Sequence, residues 1–352
     1  MINKELKKEL TVIIPLKDRA PYTSRLMTYL DKIAFPFKVM LADGGKDKRI
    51  MEILLNKSNY PNVNYEYIRY PIDNTYADYY KKMVDALSQV KTPLVVMGDN
   101  DDFFNVQGIE KSIEFMCAHP DYSACRGEIF RFRLNPRTKK RGIEGLYGEI
   151  NKCEKLYDSV SIVQNTASQR INDHFNNYVP TWYDVHRTDQ LNRYFQILAG
   201  LNIKDIYLAE LLISFLTITN GKACRGSYLY LLRQASAKGS TSFKENENND
   251  MFDRMLLETW SLDFNKFTGA IAGELLSHEG IGQDEAIRAI KKLYRHYINP
   301  YMIKILSREV VNKSALVRAY SIVAEIFKRI FRANNRSDEI DPIRNYLRQY
   351  SD

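Results

Sequence analysis

Hydrophobic residues follow two rhythms in the first hundred positions. Short unbroken apolar runs alternate with segments whose apolar positions recur every three or four residues, as buried strands joined by amphipathic helices do. Leu10–Leu16 reads as a strand that breaks into Lys17-Asp18-Arg19, and Arg25, Leu26, Tyr29, Leu30 and Ile33 follow at helical spacing. A second strand, Phe37–Leu41, ends at Ala42-Asp43-Gly44-Gly45, whose glycines permit a tight turn or a close backbone approach to a ligand. Next come a helix over Ile50–Leu55, a strand over Val63–Arg69 and a helix over Tyr76–Ser88 with Asn74 as its cap. Pro93 then opens a fourth strand, Leu94-Val95-Val96-Met97. This alternation predicts an α/β fold with a mostly parallel, doubly wound sheet.

The fourth strand runs into Gly98-Asp99-Asn100-Asp101-Asp102, three carboxylates in four residues. They repel one another, and neutralising them takes basic side chains or a divalent cation, which accepts one or two carboxylates plus substrate phosphates. We read a metal site; a turn cluster of Asp and Asn is the competing reading. Ligands of open α/β sheets bind outside the carboxyl ends of the strands. Asp18, Asp43 and the Asp99–Asp102 loop should therefore gather at one edge and form one site.

These motifs, in this order and spacing, resemble the GT-A (Rossmann-like) nucleotide-sugar domain of family 2 glycosyltransferases over roughly Leu10 to Gln234. The resemblance implies that Asp18 and Asp43 contact the base and ribose of a nucleotide-sugar donor. It also makes Asp99 and Asp101 an Asp-x-Asp pair holding Mn²⁺ or Mg²⁺ against the donor diphosphate, with Asp101 the direct metal ligand. Two departures stand out. Ala42 replaces the first of two acids that family members often carry before the turn glycine, and the loop after the first strand is unusually basic, offering Arg19 to phosphate.

Beyond Phe103 the chain reads as a helix over Val106–Ala118 and a strand pair over Tyr122–Leu134 carrying Arg126, Arg131 and Arg133, followed by Lys139-Lys140-Arg141. A solvated basic surface and contact with an anionic acceptor both explain these charges. Pro180–Arg187 holds Trp182, Tyr183 and His186, suited to sugar stacking or to buried packing. Glu210 interrupts an apolar helix that continues to Ile218 and ends at Asn220-Gly221. A carboxylate so placed acquires a raised pKa by desolvation, as a general base requires. In the resembled family the second of two acids on such a helix deprotonates the acceptor hydroxyl. Position makes Glu210 that base, with Ala209 in place of its partner acid and Asp205 in reserve. Inversion at the anomeric carbon follows from the same resemblance. Ser227–Gln234 reads as a closing strand whose Arg233 balances the leaving diphosphate or anchors the aspartates.

The chain has 352 residues, enough for one large α/β domain with additions or for two domains. We divide it into residues 1–238, with a donor half at about 10–104 and an acceptor half at about 105–234, and a helical C-terminal extension at 239–352. A hydrophobic content of 45% with 24 tyrosines and 16 phenylalanines excludes a disordered chain. The formal charge of +8 favours anionic partners, nucleotide diphosphates among them. Its basic residues are dispersed without a nucleic-acid-reading motif. Four cysteines without CxxC spacing fit a reduced compartment, and neither a signal-peptide core nor a membrane span is read, so a cytoplasmic or peripheral protein is expected.

Ala235–Asp250 is polar and reads as a mobile loop or boundary. Ser314–Arg332 carries a basic amphipathic stripe, either a core or dimer face or a contact with an anionic membrane surface. The leading expectation is a metal-dependent glycosyltransferase acting on a glycan or lipid-linked acceptor in cell-surface polysaccharide synthesis. Behind it stand a sugar-phosphate nucleotidyltransferase and a non-catalytic nucleotide- or glycan-binding module.

Overall fold

The computed structural model describes residues 5–135, 145–235, 251–310 and 337–349, and one mixed sheet joins its nine described strands. The first half alternates as the hydrophobic pattern predicts. Its elements are β1 (Leu10–Leu16), α1 (Ala20–Lys32), β2 (Lys38–Asp43), α2 (Lys48–Leu55), β3 (Tyr65–Arg69), α3 (Tyr76–Ser88) and β4 (Leu94–Met97). β1 pairs in parallel with β2 and β4, and β2 with β3, so β1 lies at the centre of this half. The cap of α3 is Thr75 rather than Asn74. Thr75 Oγ1 accepts from the Asp78 N–H at 3.3 Å and Asp78 Oδ2 accepts from the Thr75 N–H at 2.9 Å, a reciprocal capping box.

The second half holds β5 (Phe103–Phe104), α4 (Val106–Ala118), β6 (Tyr122–Leu134), β7 (Ile150–Lys155), α5 (Ala167–Asn176), β8 (Val185–Arg187), α6 (Thr188–Leu201), α7 (Ile206–Asn220) and β9 (Lys222–Gln234). The short β8 runs antiparallel between β4 and β6, and β6 runs parallel to β9. The expected strand pair over 122–134 is one 13-residue strand. Its pairing with β9 shifts register at three places, and such bulges bend a long strand without ending it.

Helix α7 is the spine of the core. Leu208, Ala209 and every residue from Leu211 to Thr219 are buried, so Glu210 is the charged exception within an apolar stretch. Burying each of its large apolar side chains contributes about 1.5–3 kcal/mol. Gly221 ends this helix with extended backbone, φ 178°, rather than the left-handed cap its sequence suggests. A Cβ there would stand 2.2 Å from Ser123 Oγ, so close packing against β6 demands the glycine.

The described C-terminal helices are α8 (Met251–Met255), α9 (Glu258–Glu279), α10 (Gln283–Val310) and α11 (Ser337–Arg348). α9 lies on α7, where the rings of Phe267 and Phe215 meet at 5.8 Å. α11 returns to the first half of the chain. Tyr346 packs on Tyr29 with ring centroids 5.1 Å apart, and its hydroxyl donates to the Arg25 carbonyl at 2.8 Å. Lys139-Lys140-Arg141, residues 236–250 and Ser314–Arg332 lie outside the described residues. No described helix is long and apolar enough to cross a membrane.

Candidate active site

The parallel register brings the carboxyl ends of β1 and β2 side by side, Leu16 opposite Asp43, with the loop after β4 beside them. Asp18 and Arg19, which leave β1, both hold left-handed backbone, φ 60° and 62°. Such a pair persists only where its surroundings fix it. Asp18 Oδ1 does so by accepting from the backbone N–H groups of Lys46 and Asp47 at 2.5 and 2.9 Å, tying the β1 loop to the β2 loop. The two glycines of the β2 turn serve this packing. A Cβ on Gly45 would stand 2.3 Å from the Asp18 nitrogen, and one on Gly44 would stand 2.4 Å from the Asp73 carboxyl.

Asp43 is fully buried, and both its oxygens are engaged. Oδ1 accepts from the Gly45 N–H at 2.8 Å, and Oδ2 accepts from the Tyr67 hydroxyl at 2.8 Å and from Arg69. Its carboxylate braces the turn. Below it lies a pair that sequence reading missed. Lys82 donates to Asp73 and, at 3.2 Å, to the Leu16 carbonyl. The missed signal was spacing, because Lys82 falls in step with the buried Met83 and Ala86 on α3.

Around the aspartate cluster the structure supplies the basic counter-charge. Arg233, near the end of β9, donates through Nε to Asp102 Oδ2 at 2.8 Å and through Nη2 to Asp99 Oδ2 at 3.3 Å. Gln234 N–H donates to Asp102 Oδ1 at 3.0 Å, and Arg19 Nη2 donates to Asp101 Oδ2 at 3.0 Å. Arg25 Nη2 holds the Asp101 carbonyl at 3.0 Å, and Asn100 donates to Thr23 Oγ1 at 3.0 Å, so α1 grips the whole loop. Tyr183 completes the cluster. Its hydroxyl donates to Asp99 Oδ2 at 2.5 Å and accepts from Arg233 Nη2 at 2.7 Å, while its ring lies 4.1 Å from that guanidinium. Burial pushes the Asp102 carboxyl up to about 8, against the pull of Arg233, and raises Asp99 as well.

Two carboxylate oxygens of the loop could serve a divalent cation. Asp99 Oδ1 and Asp101 Oδ1 make no hydrogen bond to the described residues. Two hard oxygens plus substrate phosphates suit Mg²⁺ or Mn²⁺, whereas no cluster of three metal-ligating side chains occurs among the described residues.

Glu210 on α7 lies within electrostatic reach of Arg233. Its hydrogen bond to the described residues is a 3.4 Å donation from the Tyr178 hydroxyl. Burial raises its pKa, and Arg233 is the largest influence opposing that rise, so one guanidinium acts on Glu210, Asp99 and Asp102 together. Asp205 differs. Its Oδ1 caps α7 by accepting from the Tyr207 and Leu208 N–H groups at 2.9 and 3.1 Å, and its Oδ2 pairs with Arg254 at 3.1 Å. Both oxygens of Asp205 are thus engaged, whereas Glu210 has one long hydrogen bond.

Several remaining candidates have partners within the fold. Arg126 and Arg225 flank the fully buried Asp184 at 2.9 and 2.8 Å, and Arg131 pairs with Glu154 at 2.6 Å. Trp182 packs on Phe195, while buried His186 contacts the Thr181 carbonyl at 2.7 Å. Tyr178 and Arg25 join these residues without any mark in the sequence that separates them from other tyrosines and arginines.

No family model and no curated protein sequence matches the chain. Solved structures give fold likenesses. Residues 1–349 of S. aureus TarS are 16% identical, with 82% of this chain and 72% of that one covered at a TM-score of 0.49. The same fragment in complex with UDP-GlcNAc is 15% identical over the same shares, also at 0.49. The mannosyltransferase PcManGT from Pyrobaculum calidifontis, in complex with GDP-Man and Mn²⁺, is 11% identical, with 96% of this chain and 84% of that one covered at 0.41.

Proposed function

We propose that this protein is a glycosyltransferase that moves a sugar from a nucleoside diphosphate donor to the hydroxyl of a glycan or lipid-linked acceptor, as in polysaccharide synthesis. The observation that carries this is the aspartate loop after β4, held at the carboxyl edge of the sheet by Arg19 and Arg233, together with Glu210 as the charged residue of the apolar stretch of α7. It supports a single cleft with a cationic diphosphate-binding wall on one side and a desolvated carboxylate on the other. Arg233 Nη1 makes no hydrogen bond to the described residues and is available to a phosphate oxygen. There it stabilises the negative charge that builds on the departing diphosphate.

Glu210 takes the proton from the attacking hydroxyl, and its raised pKa matches it to that task. Attack from the face opposite the leaving group inverts the anomeric carbon. Asp101 and Asp99 would hold a divalent cation, Mn²⁺ or Mg²⁺, which supplies charge neutralisation at the diphosphate when bound. Asp18 keeps Oδ2 free of described partners and is the carboxylate of the β1 loop that can reach the nucleoside.

The test is thermal stabilisation by a panel of nucleotides and nucleotide sugars, with and without Mn²⁺, on wild type and Asp101→Ala. A ligand that binds the native state raises the melting temperature by mass action. One nucleoside diphosphate should stabilise wild type with Mn²⁺ and lose that effect in Asp101→Ala. If none shifts wild type, the donor-site assignment fails. Retention of the anomeric configuration, read by NMR of the product, removes the role of Glu210 in direct inverting transfer.

A further inference from the structure

We propose that Arg19 is an exchangeable counter-ion: it neutralises Asp101 while the donor site is empty and passes to the donor diphosphate when a cation takes its place. This rests on the donor-site assignment above and adds a residue and an order of events to it.

Asp101 presents two unlike oxygens. Oδ2 is held by Arg19 Nη2 at 3.0 Å, while Oδ1 has no hydrogen bond to the described residues. A cation arriving at Oδ1 brings a charge that Arg19 then repels, and the Nη2 contact is the one that must yield. The loop does not move with it, because Arg25 holds the Asp101 carbonyl and Asn100 is bonded to Thr23, both independent of Arg19. Release therefore frees a guanidinium without loosening the carboxylate.

The released group suits phosphate. Arg19 Nε is buried and has no hydrogen-bond partner among the described residues, a donor that a phosphate oxygen would satisfy. Nε and Nη2 form one edge of the guanidinium, the edge that binds phosphate through two parallel hydrogen bonds. Stacking over the Tyr22 ring, 4.3 Å from its centroid, gives the group a platform on which to turn. Its backbone position at the carboxyl end of β1 places it beside the Asp18 and Asp43 loops, on the edge of the sheet where the diphosphate must lie.

The exchange makes two affinities move in opposite directions. The full chain is titrated calorimetrically with MnCl₂ alone, and then with UDP and with GDP in saturating Mn²⁺, as wild type, Arg19→Gln, Arg19→Lys and Asp101→Asn. Arg19→Gln should bind Mn²⁺ alone about fivefold more tightly, having lost the competitor, and bind the nucleoside diphosphate about tenfold more weakly, having lost a charged hydrogen bond. Arg19→Lys, which keeps the charge without the two-pronged edge, should recover part of the nucleotide affinity. Both affinities falling together, or neither changing, in both Arg19 variants overturns the exchange while the donor site stands. If wild type in Mn²⁺ binds neither diphosphate, or Asp101→Asn binds Mn²⁺ as wild type does, the donor-site assignment fails and the exchange falls with it.

Discussion

At the end of β2 Asp43 accepts three hydrogen bonds and is sealed from solvent, while on α7 Glu210 accepts one long bond from Tyr178 and is half-buried. Both carboxylates follow the same rule, that a buried charge needs partners, and they satisfy it to different degrees. A carboxylate whose oxygens are all occupied by backbone and fixed side chains serves to hold loops in place. One left short of partners in an apolar helix keeps a raised pKa and an oxygen free for chemistry.

The sharpest way to break this comparison is Glu210→Gln. It should lower kcat for transfer by about 10²–10⁴-fold while nucleotide binding, measured by calorimetry, is unchanged. The opposite outcome is expected for Asp43→Asn. It puts an amide against the donors from Gly45 and Tyr67 and leaves Arg69 without its charge partner. Stability should fall by about 3 kcal/mol, read as a shift of the urea midpoint.

Two pH profiles separate the regions further. Glu210 acts when deprotonated, so kcat/KM should rise with pH through a value above the ordinary 4.5 of a glutamate and then level off. His174 reports on the core behind it. Buried against Tyr178 and Phe215 with neither ring nitrogen bonded to a described residue, it is pushed down to about 3 from 6.5 by burial. Below pH 6.5 the unfolded chain binds a proton that the folded chain refuses, so stability falls as acid is added. The slope should be about 1.4 kcal/mol per pH unit, and His174→Phe should remove that share of it.

The smallest effect is expected from Asp205→Ala. Loss of the helix cap costs about 1 kcal/mol, and the transfer rate per folded molecule should stay at the wild-type value. A rate loss as large as that of Glu210→Gln would return Asp205 to the chemistry.

Legibility in the sequence followed the same division. The parallel half could be read because each strand is a short apolar run and each loop opens on a polar residue, so Asp18, Asp43 and Asp99–Asp102 fell on one edge by topology alone. Position did not reveal engagement. Whether Asp43 faces a ligand or Arg69 depends on a strand two elements away. The second half was harder because β6 carries bulges, which cancel the two-residue alternation that marks strand faces. Arg126 thus appeared to belong to a solvated surface, when it is buried against Asp184. Tyr183 was noted for its ring, whereas its hydroxyl is what joins Asp99 to Arg233.

The docking of α11 onto α1 bears on how the fold is completed. Tyr346 bonds to Arg25, 321 positions earlier, and Arg25 in turn holds Asp101. β1 to β4 precede α11 in the chain and can pair without it, whereas α1 gains the Tyr346 contact only once residues 337–348 have docked. The helix that grips the acidic loop is thus tied to a segment remote from it in sequence, and loss of that segment would reach the loop through α1.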